Sequence, residues 1–535
     1  MFVRIKKVKT AHSTHEYLQI VENYRQKKQV KQKVISTLGR RDKLQQSGAL
    51  DGILTSLAKF SKQTILINKL KEGSVKSSWA KSWGPMLVFE KLWNTVGLDQ
   101  IIRKLAMDSD CQFDLERAVF ACVCQRLLHP GSDLAGSRWL QEVYAQGFEH
   151  LELQHLYRSM DFLADHQPEI EKALFTRGRD LFDYGVDLVF FDTTSVYFEG
   201  QGPENLAEYG HSKDHRPDRK QMVVGVVLSR KGYPLSCQFW EGNTSDVTTL
   251  RKIIDLIQRR FTLKQVILVS DRGMLSVDNL VELEQAGIDY IVGIPMRRYV
   301  DVRDQVVDAP GFYQALSPTL WFKEIRLNGC RYVLCYNDDQ AAKDRFTRQA
   351  LVEKLTKTLK QQGPKSLVGN KGYRKFLEFD RDLARIDNTK VTEDARFDGK
   401  YVLLTNTELP ADEIAVTYKR LWQVERAFRD LKSILEVRPV FHQRCQRVQG
   451  HIFCNFLALY LKIALHKELK RKEIEIPWDQ VLHDLDAFKA IHFQIGDQPY
   501  LLRTEFQGNA YRIFQTVGVK PPPTLQTLEP QNVVP

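Results

Sequence analysis

The chain has 535 residues, which is long enough for several domains and a large core. Of these residues 43% are hydrophobic and 27% are charged, a composition typical of soluble globular proteins. A formal net charge of +12 at pH 7 favours a polyanionic partner, most simply nucleic acid. The eight cysteines include no Cys-x-x-Cys pair, which argues against both a disulfide framework and a zinc site.

Residues 1–45 alternate short strand-like runs with polar turns, a pattern that predicts a small β meander. Twelve basic residues in this segment stand against three acidic ones. Such an imbalance occurs on solvated surfaces, but it favours a module that contacts the DNA backbone. From residue 46 to residue 185 the apolar residues recur at helical spacing. This second region shows no catalytic cluster, and we expect a helical scaffold with a DNA-binding surface.

The pattern changes to strands in residues 186–296. An apolar run at 186–198 carries Asp192, two further β-rich runs follow, and a later buried-type strand ends at Asp271. A helix expected to end near Arg260 precedes that strand, and another helix and strand follow it. The order predicts antiparallel hairpins first and a parallel crossover after them. The expected fold class is therefore α/β, with a mixed sheet flanked by helices.

Residues 297–400 interrupt this unit with strands and a charged helix near 340–362, and we expect a β-rich insertion. The core resumes in residues 401–440, and residues 441–535 are expected to be helical before they end in a tail without pattern. The most hydrophobic run, 453–465, is too short for a membrane span and predicts a buried core helix. The charged N-terminal segment lacks a signal-peptide core, so we expect no membrane partner.

Residues 412–435 predict one amphipathic helix, because their apolar residues recur at helical spacing. Glu425 lies on the apolar stripe, and Tyr418 and Lys432 are seven residues to either side, which places all three on one face. A carboxylate on an inward face needs a partner, because an unpaired buried charge is costly. Arg429 would provide an ordinary ion pair four residues later, and a metal ion is the alternative. The helix alone leaves both alternatives open.

Asp192 and Asp271 end apolar strands, and Glu425 lies on a helix face. Carboxylates on rigid elements suit a hard divalent cation such as Mg²⁺, which also binds substrate phosphates. Each aspartate alone is more often a strand-end or capping residue, but three acidic residues can complete a two-metal site for phosphoryl transfer. Competing chemistries lack their motifs, because the chain contains neither a GxxxxGK[ST] phosphate loop nor an HExxH helix.

With these three carboxylates the chain resembles the DDE transposases of bacterial insertion sequences, in the branch with a Tyr–Arg–Glu–Lys signature. The matching segments are FFDTTSVYFEG around Asp192, VSDRGM around Asp271 and YKRLWQVERAFRDLK around Glu425. The separations are 79 and 154 residues, and the second has room for the insertion. The signature tyrosine and lysine correspond to Tyr418 and Lys432.

The resemblance implies an RNase H-like catalytic core in which the three carboxylates hold two Mg²⁺ ions, with Mn²⁺ as a substitute. One ion would activate water or a DNA 3′-hydroxyl for in-line attack, and the other would stabilise the leaving oxygen. The signature arginine position, four residues before the glutamate, is Leu421 here, with Arg420 beside it. Since the tyrosine and arginine assist a hairpin intermediate in related transposases, the resemblance leaves the cleavage route open.

The same resemblance implies that this helix and one loop contact DNA. The residues assigned to DNA binding are Tyr418, Arg420, Arg429 and Lys432 on the helix, and Lys213 and Arg216 in the loop after the Asp192 strand. A solvent-facing lysine is an equal alternative for Lys432. A mobile surface loop is an equal alternative for residues 213–216.

The expected function is that of a transposase that binds terminal inverted repeats, cuts double-stranded DNA at the ends and joins the ends to target DNA. We expect a homodimer in the synaptic complex and a place in the bacterial cytoplasm, in association with the nucleoid. One alternative is an RNase H-like DNA nuclease without strand transfer. Another is a catalytically inactive DNA-binding protein derived from a transposase, although the three intact acidic residues argue against inactivity.

Overall fold

The computed structural model describes residues 1–9, 13–26, 29–58, 75–109, 111–178, 187–245, 248–250, 253, 256, 266–270, 277–362, 375–380, 383–495 and 498–529. The chain divides into two compact units, which are Met1–Ala80 with Ala490–Thr504 and Pro522–Pro535, and Lys81–Lys489 with Glu505–Pro521. Two sequence predictions lie outside the described residues, namely the position of Asp271 and most of the helix expected to end near Arg260.

The N-terminal residues form the three-stranded antiparallel sheet that the sequence predicts. The register aligns Phe2 with Val21 and Tyr17 with Arg40. Most side chains of this sheet are exposed, so its many cations face solvent. The strands are β1 (Phe2–Lys9), β2 (Thr14–Gln26) and β3 (Gln29–Arg40), and two helices follow, α1 (Arg41–Gln46) and α2 (Ala49–Ala58).

A second sheet joins strands from distant parts of the chain, in the order β18-β17-β16-β4. Its strands are β4 (Val75–Ser82), β16 (Lys489–Ile495), β17 (Gln498–Arg503) and β18 (Leu525–Thr527). The expectation of helix was therefore wrong for residues 75–82 and 489–503. In β17, buried Pro499 and Leu501 alternate with less buried neighbours, which is the period of a strand. These runs are too short for sequence periodicity to separate strand from helix.

The helical part of the second unit surrounds one long core helix, α14. Its helices are α3 (Gly84–Val96), α4 (Leu98–Ala106), α5 (Leu115–Leu128), α6 (Asp133–Trp139), α7 (Leu153–Asp165), α8 (Gln167–Gly178), α14 (Cys445–Arg471), α15 (Trp478–Asp486) and α16 (Ala510–Val517). Among the described residues, α14 alone is long and apolar enough to cross a membrane, but 89% of its most apolar stretch is buried inside the protein. The core helix predicted at 453–465 is thus confirmed.

The central sheet of this unit has nine strands in the order β10-β11-β12-β15-β9-β8-β5-β6-β7. The strands are β5 (Asp187–Tyr197), β6 (Gln221–Ser229), β7 (Pro234–Glu241), β8 (Val266–Ser270), β9 (Asp289–Ile294), β10 (Gln314–Ser317), β11 (Leu320–Leu327), β12 (Cys330–Asn337) and β15 (Lys400–Thr405). Strands β5 to β7 are antiparallel, while β8 and β9 run parallel to β5. Helix α9 (Val277–Gln285) connects β8 to β9. This order is RNase H-like, so the predicted fold class is confirmed.

The strands of the predicted insertion continue the same sheet. Antiparallel pairing joins β12 to β15, and β15 to β9, so β10 to β12 extend the central sheet at one side. A π-helical turn, Val302–Val306, precedes them. The other elements of this segment are α10 (Asp338–Gln362), the hairpin of β13 (Leu377–Asp380) with β14 (Leu383–Ile386), and α11 (Asn388–Ala395).

The segment expected to be one helix over 412–435 consists of two, α12 (Ala411–Lys419) and α13 (Trp422–Ser433), so that prediction was wrong. At the junction the amides of Leu421 and Val424 each donate to a carbonyl three residues earlier, at 2.9 Å. Bonds of this type wind the backbone at about three residues per turn instead of 3.6. The one-face alignment expected from seven-residue spacing therefore does not carry across the junction.

Candidate active site

Asp192 lies in the middle of β5, an interior strand of the RNase H-like sheet that pairs with β8 on one side and β6 on the other. The strand continues to Tyr197, so the expectation that Asp192 ends its strand was wrong. It pairs with Val226 of β6, and its carboxylate Oδ1 accepts a hydrogen bond of 2.7 Å from the Thr193 amide. The side chain is half-buried. A carboxylate on a central strand has a position that the whole sheet supports.

Strand β8 lies next to β5 in parallel register, with Ser270 opposite Phe191. The described part of β8 ends at this buried serine. Asp271 is the next residue in the sequence and lies outside the described residues. The strand that carries Asp192 and the strand that precedes Asp271 are therefore neighbours, and the position of the Asp271 carboxylate stays a prediction.

Glu425 lies on α13, which packs on β5 and β6, while α12 packs on β8 and β9. The glutamate is exposed, so its assignment to the buried stripe was wrong. The buried residues of α13 are Val424, Ala427, Phe428, Asp430 and Leu431. Within the described part of the chain, Glu425 forms neither an ion pair nor a hydrogen bond, so the alternative pair with Arg429 is not formed there.

A cavity of about 710 Å³ opens beside Glu425. Side chains of α12 and α13 line one part of it, and residues of the insertion, with Met296 and Tyr401 on either side of it in the sequence, line the rest. Tyr418 stacks on Tyr401 of β15 with ring centroids 5.9 Å apart and an interplanar angle of 25°. Leu421, at the signature arginine position, also lines the cavity and is 8% exposed. The tyrosine and the glutamate of the signature thus face one cavity, with a leucine between them.

Lys432 lies apart from this cavity, in an ion pair with Asp214. Its Nζ is 2.6 Å from the Asp214 carboxylate, which the Arg438 guanidinium also contacts. The exposed fraction is 13% for the lysine side chain and 3% for the aspartate side chain. Burial lowers the pKa of Lys432, and the Asp214 charge opposes that effect. The solvent-facing alternative for Lys432 is therefore excluded.

Residues 213–216 are attached to β5 by several contacts. The Lys213 Nζ donates to the Thr193 carbonyl at 3.0 Å and to its hydroxyl at 2.9 Å, and the Lys213 amide donates to the Ser195 hydroxyl at 2.8 Å. The Arg216 guanidinium pairs with Asp218 at 2.8 Å and lies 5.3 Å from the Tyr197 ring centroid. The loop therefore has defined contacts one to five residues beyond Asp192.

The structure thus groups the predicted residues in two places. Asp192, Lys213 and Lys432 belong to the β5 side, and Tyr418 and Glu425 to the cavity side. Arg420 is half-buried at the junction of α12 and α13, and Arg429 is exposed on α13. No sequence spacing pointed to Asp214, because its partners are more than 200 residues away and only the fold brings them together.

A second buried polar group, in the helical region, was also missed. Asp133 contacts the Arg126 guanidinium and lies 3.2 Å from the His442 ring. His451 is nearby, with one ring nitrogen 3.1 Å from the Val437 carbonyl. The seven-residue spacing of Arg126 and Asp133 around a Pro-Gly break was the available sequence signal. We assign this group to the scaffold because it is buried between helices.

The donor chemistry of the site suits a hard divalent cation, since Asp192 and Glu425 offer carboxylate oxygens on rigid elements. No group of three His, Cys, Asp or Glu side chains that could hold a metal ion occurs among the residues that the structure describes, and these exclude Asp271. Two of the three expected ligands lie among the described residues, Asp192 half-buried and Glu425 exposed.

Comparison with known families gives two matches. A profile described as "Transposase DDE domain" matches residues 185–461, just over half of the chain. A profile described as "IS1634 family transposase, N-terminal domain" matches residues 3–71. The first match contains Asp192, Asp271 and Glu425, and the second contains the basic three-stranded sheet.

Similar proteins carry related descriptions. The transposase for insertion sequence element IS231E of Bacillus thuringiensis subsp. finitimus is 22% identical over 255 residues, covering 46% of this chain and 50% of that protein. The transposase for insertion sequence element IS421 of Escherichia coli is 25% identical over 262 residues, covering 45% and 64%. The chain thus spans about half to two thirds of these curated relatives. One solved structure is a cryo-EM structure of a piggyBac transposase synaptic complex with hairpin DNA. The alignment covers 75% of this chain and 79% of the piggyBac chain, with 8% sequence identity and a TM-score of 0.37.

Proposed function

Because the chain belongs to the DDE transposase family, we propose that it cuts the DNA ends of an insertion sequence and transfers them to target DNA. The observation that carries this proposal is the strand order of the central sheet, with Asp192 on β5 between β8 and β6 and the helix of Glu425 packed on β5. In-line phosphoryl transfer needs carboxylates held on rigid elements at an open surface. Support for the proposal comes from Asp192, which lies on a strand, and from Glu425, which lies exposed on a helix.

In this proposal Asp192, Asp271 and Glu425 hold two Mg²⁺ ions, for which Mn²⁺ can substitute. The exposed Glu425 supports this role, because its carboxylate has no ion pair among the described residues and is available to a ligand. When bound, the ions supply charge stabilisation to the phosphate oxygens and lower the pKa of the attacking hydroxyl. The three carboxylates would hold the ions, and thereby the reacting phosphate, in a fixed orientation.

DNA contacts are proposed on both sides of the carboxylates. Lys213 and Arg216 lie beyond Asp192 on the β5 side, where their side chains would meet phosphates. Tyr418, Arg420 and Arg429 would meet the strand on the cavity side. Lys432 has a positioning role, because its ion pair with Asp214 holds the loop that carries Lys213.

The proposed partners are the terminal inverted repeats and the target DNA, with a homodimer joining two ends in the synaptic complex. The basic N-terminal sheet would contact the DNA backbone, since its cations are exposed. The proposed location is the bacterial cytoplasm, where the nucleoid provides target DNA.

The test is a cleavage and strand-transfer assay on the element's own ends with Mg²⁺. We expect Asp192→Ala, Asp271→Ala or Glu425→Ala to reduce cleavage by more than about 100-fold, since even partners of metal ligands cost 10- to 100-fold when they are removed. DNA affinity should remain within about twofold of the unchanged chain. Undiminished cleavage by any one variant would remove that residue from the site.

The same assay separates the competing functions. Cleaved ends without joined products would support an RNase H-like nuclease. Bound but uncleaved DNA with both Mg²⁺ and Mn²⁺ would support an inactive DNA-binding protein. Joined products that depend on all three carboxylates would support the transposase.

A further inference from the structure

A second, smaller cleft of about 210 Å³ adjoins the Glu425 cavity, and Trp422 lines both. Three elements form this cleft. The turn between β6 and β7 contributes Lys231, α13 contributes Arg426, and the C-terminal half of α14 contributes the remaining cations. None of the residues placed in the proposed carboxylate site lines it.

The lining of this cleft is strongly basic. Lys462, His466 and Lys470 follow one another at four-residue steps on α14, so they share one face of that helix. Lys467 is adjacent, with its Nζ 3.4 Å from the Tyr233 ring centroid. Five lysine and arginine residues therefore line the cleft, together with one acidic residue, Asp430.

That carboxylate is already engaged. Asp430 pairs with Lys462 at 2.7 Å, and both side chains are largely buried. Arg426 lies over the Trp422 ring at 6.0 Å and 3.5 Å from the His466 ring nitrogen, so its contacts leave its charge uncompensated. The cleft thus keeps an excess of positive charge after its internal pair is counted.

Burial and neighbouring positive charges together lower the pKa of two lining groups. Burial, followed by the Lys231 charge, lowers the pKa of Lys467 to about 8. Burial, followed by the Arg426 charge, also lowers the pKa of His466. An anion in the cleft would relieve this repulsion, since an opposite charge favours the protonated form of both groups.

We propose that this cleft binds a backbone phosphate of the DNA strand that enters the Glu425 cavity. The inference rests on the proposed function and deepens it, because it adds a contact beside the carboxylates. A phosphodiester fits the chemistry, since it is a permanent anion with several acceptor oxygens for lysine and guanidinium donors. Trp422 borders both cavities, so a strand that passes this indole would reach the cleft directly from Glu425.

The first measurement is the salt dependence of DNA binding by the full chain. Arg426→Gln combined with Lys470→Gln should lower the slope of log affinity against log salt by about one, which is the loss of one phosphate contact. The matched control is Lys357→Gln with Lys360→Gln, two exposed cations of α10 that line neither cavity. Equal slopes for the two double variants would overturn the inference.

The second measurement is amine labelling of Lys470, read by mass spectrometry with and without DNA. We expect bound DNA to reduce the labelling of Lys470 several-fold and to leave Lys357 unchanged. Protection by the element's end alone assigns the phosphate to that end, and protection also by unrelated duplex assigns it to target DNA. If DNA binds but Lys470 remains fully reactive, the result overturns the proposal for this cleft and leaves the proposed function standing. A chain that binds no DNA overturns the proposed function as well.

Discussion

At the scale of single residues, Asp214 is the carboxylate that holds the loop over β5. Its side chain is 3% exposed and contacts Lys432 and Arg438. We expect Asp214→Asn to lower the free energy of unfolding by about 3 kcal/mol, because it leaves Lys432 buried without a counter-charge. Urea denaturation at pH 7 measures this loss.

The matched control is Asp218→Asn in the same loop. Asp218 is 59% exposed and pairs with Arg216 at 2.8 Å, and exposed pairs of this kind add little to stability because solvent screens them. Similar losses for the two variants would show that Asp214 is no more important than a surface partner.

His451 gives the protein a pH dependence at the same scale. Burial, followed by the nearby Arg126 charge, lowers the pKa of His451 to about 3. In the unfolded chain, His451 has a pKa of about 6.5 and binds a proton below that pH, whereas in the folded chain it stays neutral down to about pH 3. The free energy of unfolding therefore decreases as the pH drops from 6.5 towards 3. We expect His451→Gln to reduce that dependence by up to about 1.4 kcal/mol per pH unit. Denaturation at pH 4, 5 and 6 tests it, and parallel curves for the two proteins would contradict it.

At the scale of elements, the contact of α14 with α7 depends on a glycine. A Cβ added at Gly450 would lie 1.9 Å from the Met160 carbonyl oxygen, which is backbone and has little freedom to move. We expect Gly450→Ala to lower the melting temperature by several degrees, although alanine is favoured over glycine in a helix by about 1 kcal/mol. Thermal unfolding followed by circular dichroism measures this shift.

Gly178, the last residue of α8, provides the control. A Cβ there meets nothing within 4 Å, so Gly178→Ala should be neutral or slightly stabilising. If the melting temperature rises in both variants, then α14 and α7 can move apart at Gly450 without loss of stability, which contradicts the prediction.

The elements also show which parts of the fold can be derived from sequence. The order of β5 to β9 was predictable, because short continuous apolar runs and one parallel crossover leave few arrangements. The break between α12 and α13 was not, since Leu421 fits an uninterrupted helical stripe and tertiary packing decides the local winding. For the same reason the exposure of Glu425 was missed.

Only part of the candidate site could be predicted from the sequence, because several of its features depend on long-range packing. Asp192 was identified from its strand, but its place in mid-strand depends on how far β6 pairs with β5. The pairing of Lys432 with Asp214 joins residues 218 positions apart, and such contacts follow from topology and not from local spacing. Long-range partners of this kind are visible only after the chain is folded.

At the scale of the whole molecule, the net charge of +12 predicts DNA binding that depends steeply on salt. Lys6 and Lys33 lie exposed on the N-terminal sheet. We expect Lys6→Gln with Lys33→Gln to lower the slope of log affinity against log salt by about two, if each lysine meets one phosphate. Fluorescence anisotropy between 50 mM and 200 mM salt measures it. An affinity independent of salt would exclude this sheet as a main contact.

The pairing of β15 on both sides has a consequence for shortened forms of the catalytic unit. With β12 on one side and β9 on the other, β15 has no free hydrogen-bonding edge. A chain that lacks residues 297–399 would expose the backbone donors and acceptors on the β12 side of β15. The buried cluster that contains Val402 and Leu404 would also lose Leu334 and Phe397. Open, apolar strand edges pair with one another between molecules. Deletion of the insertion is therefore expected to yield aggregates, and a soluble minimal form has to retain these strands.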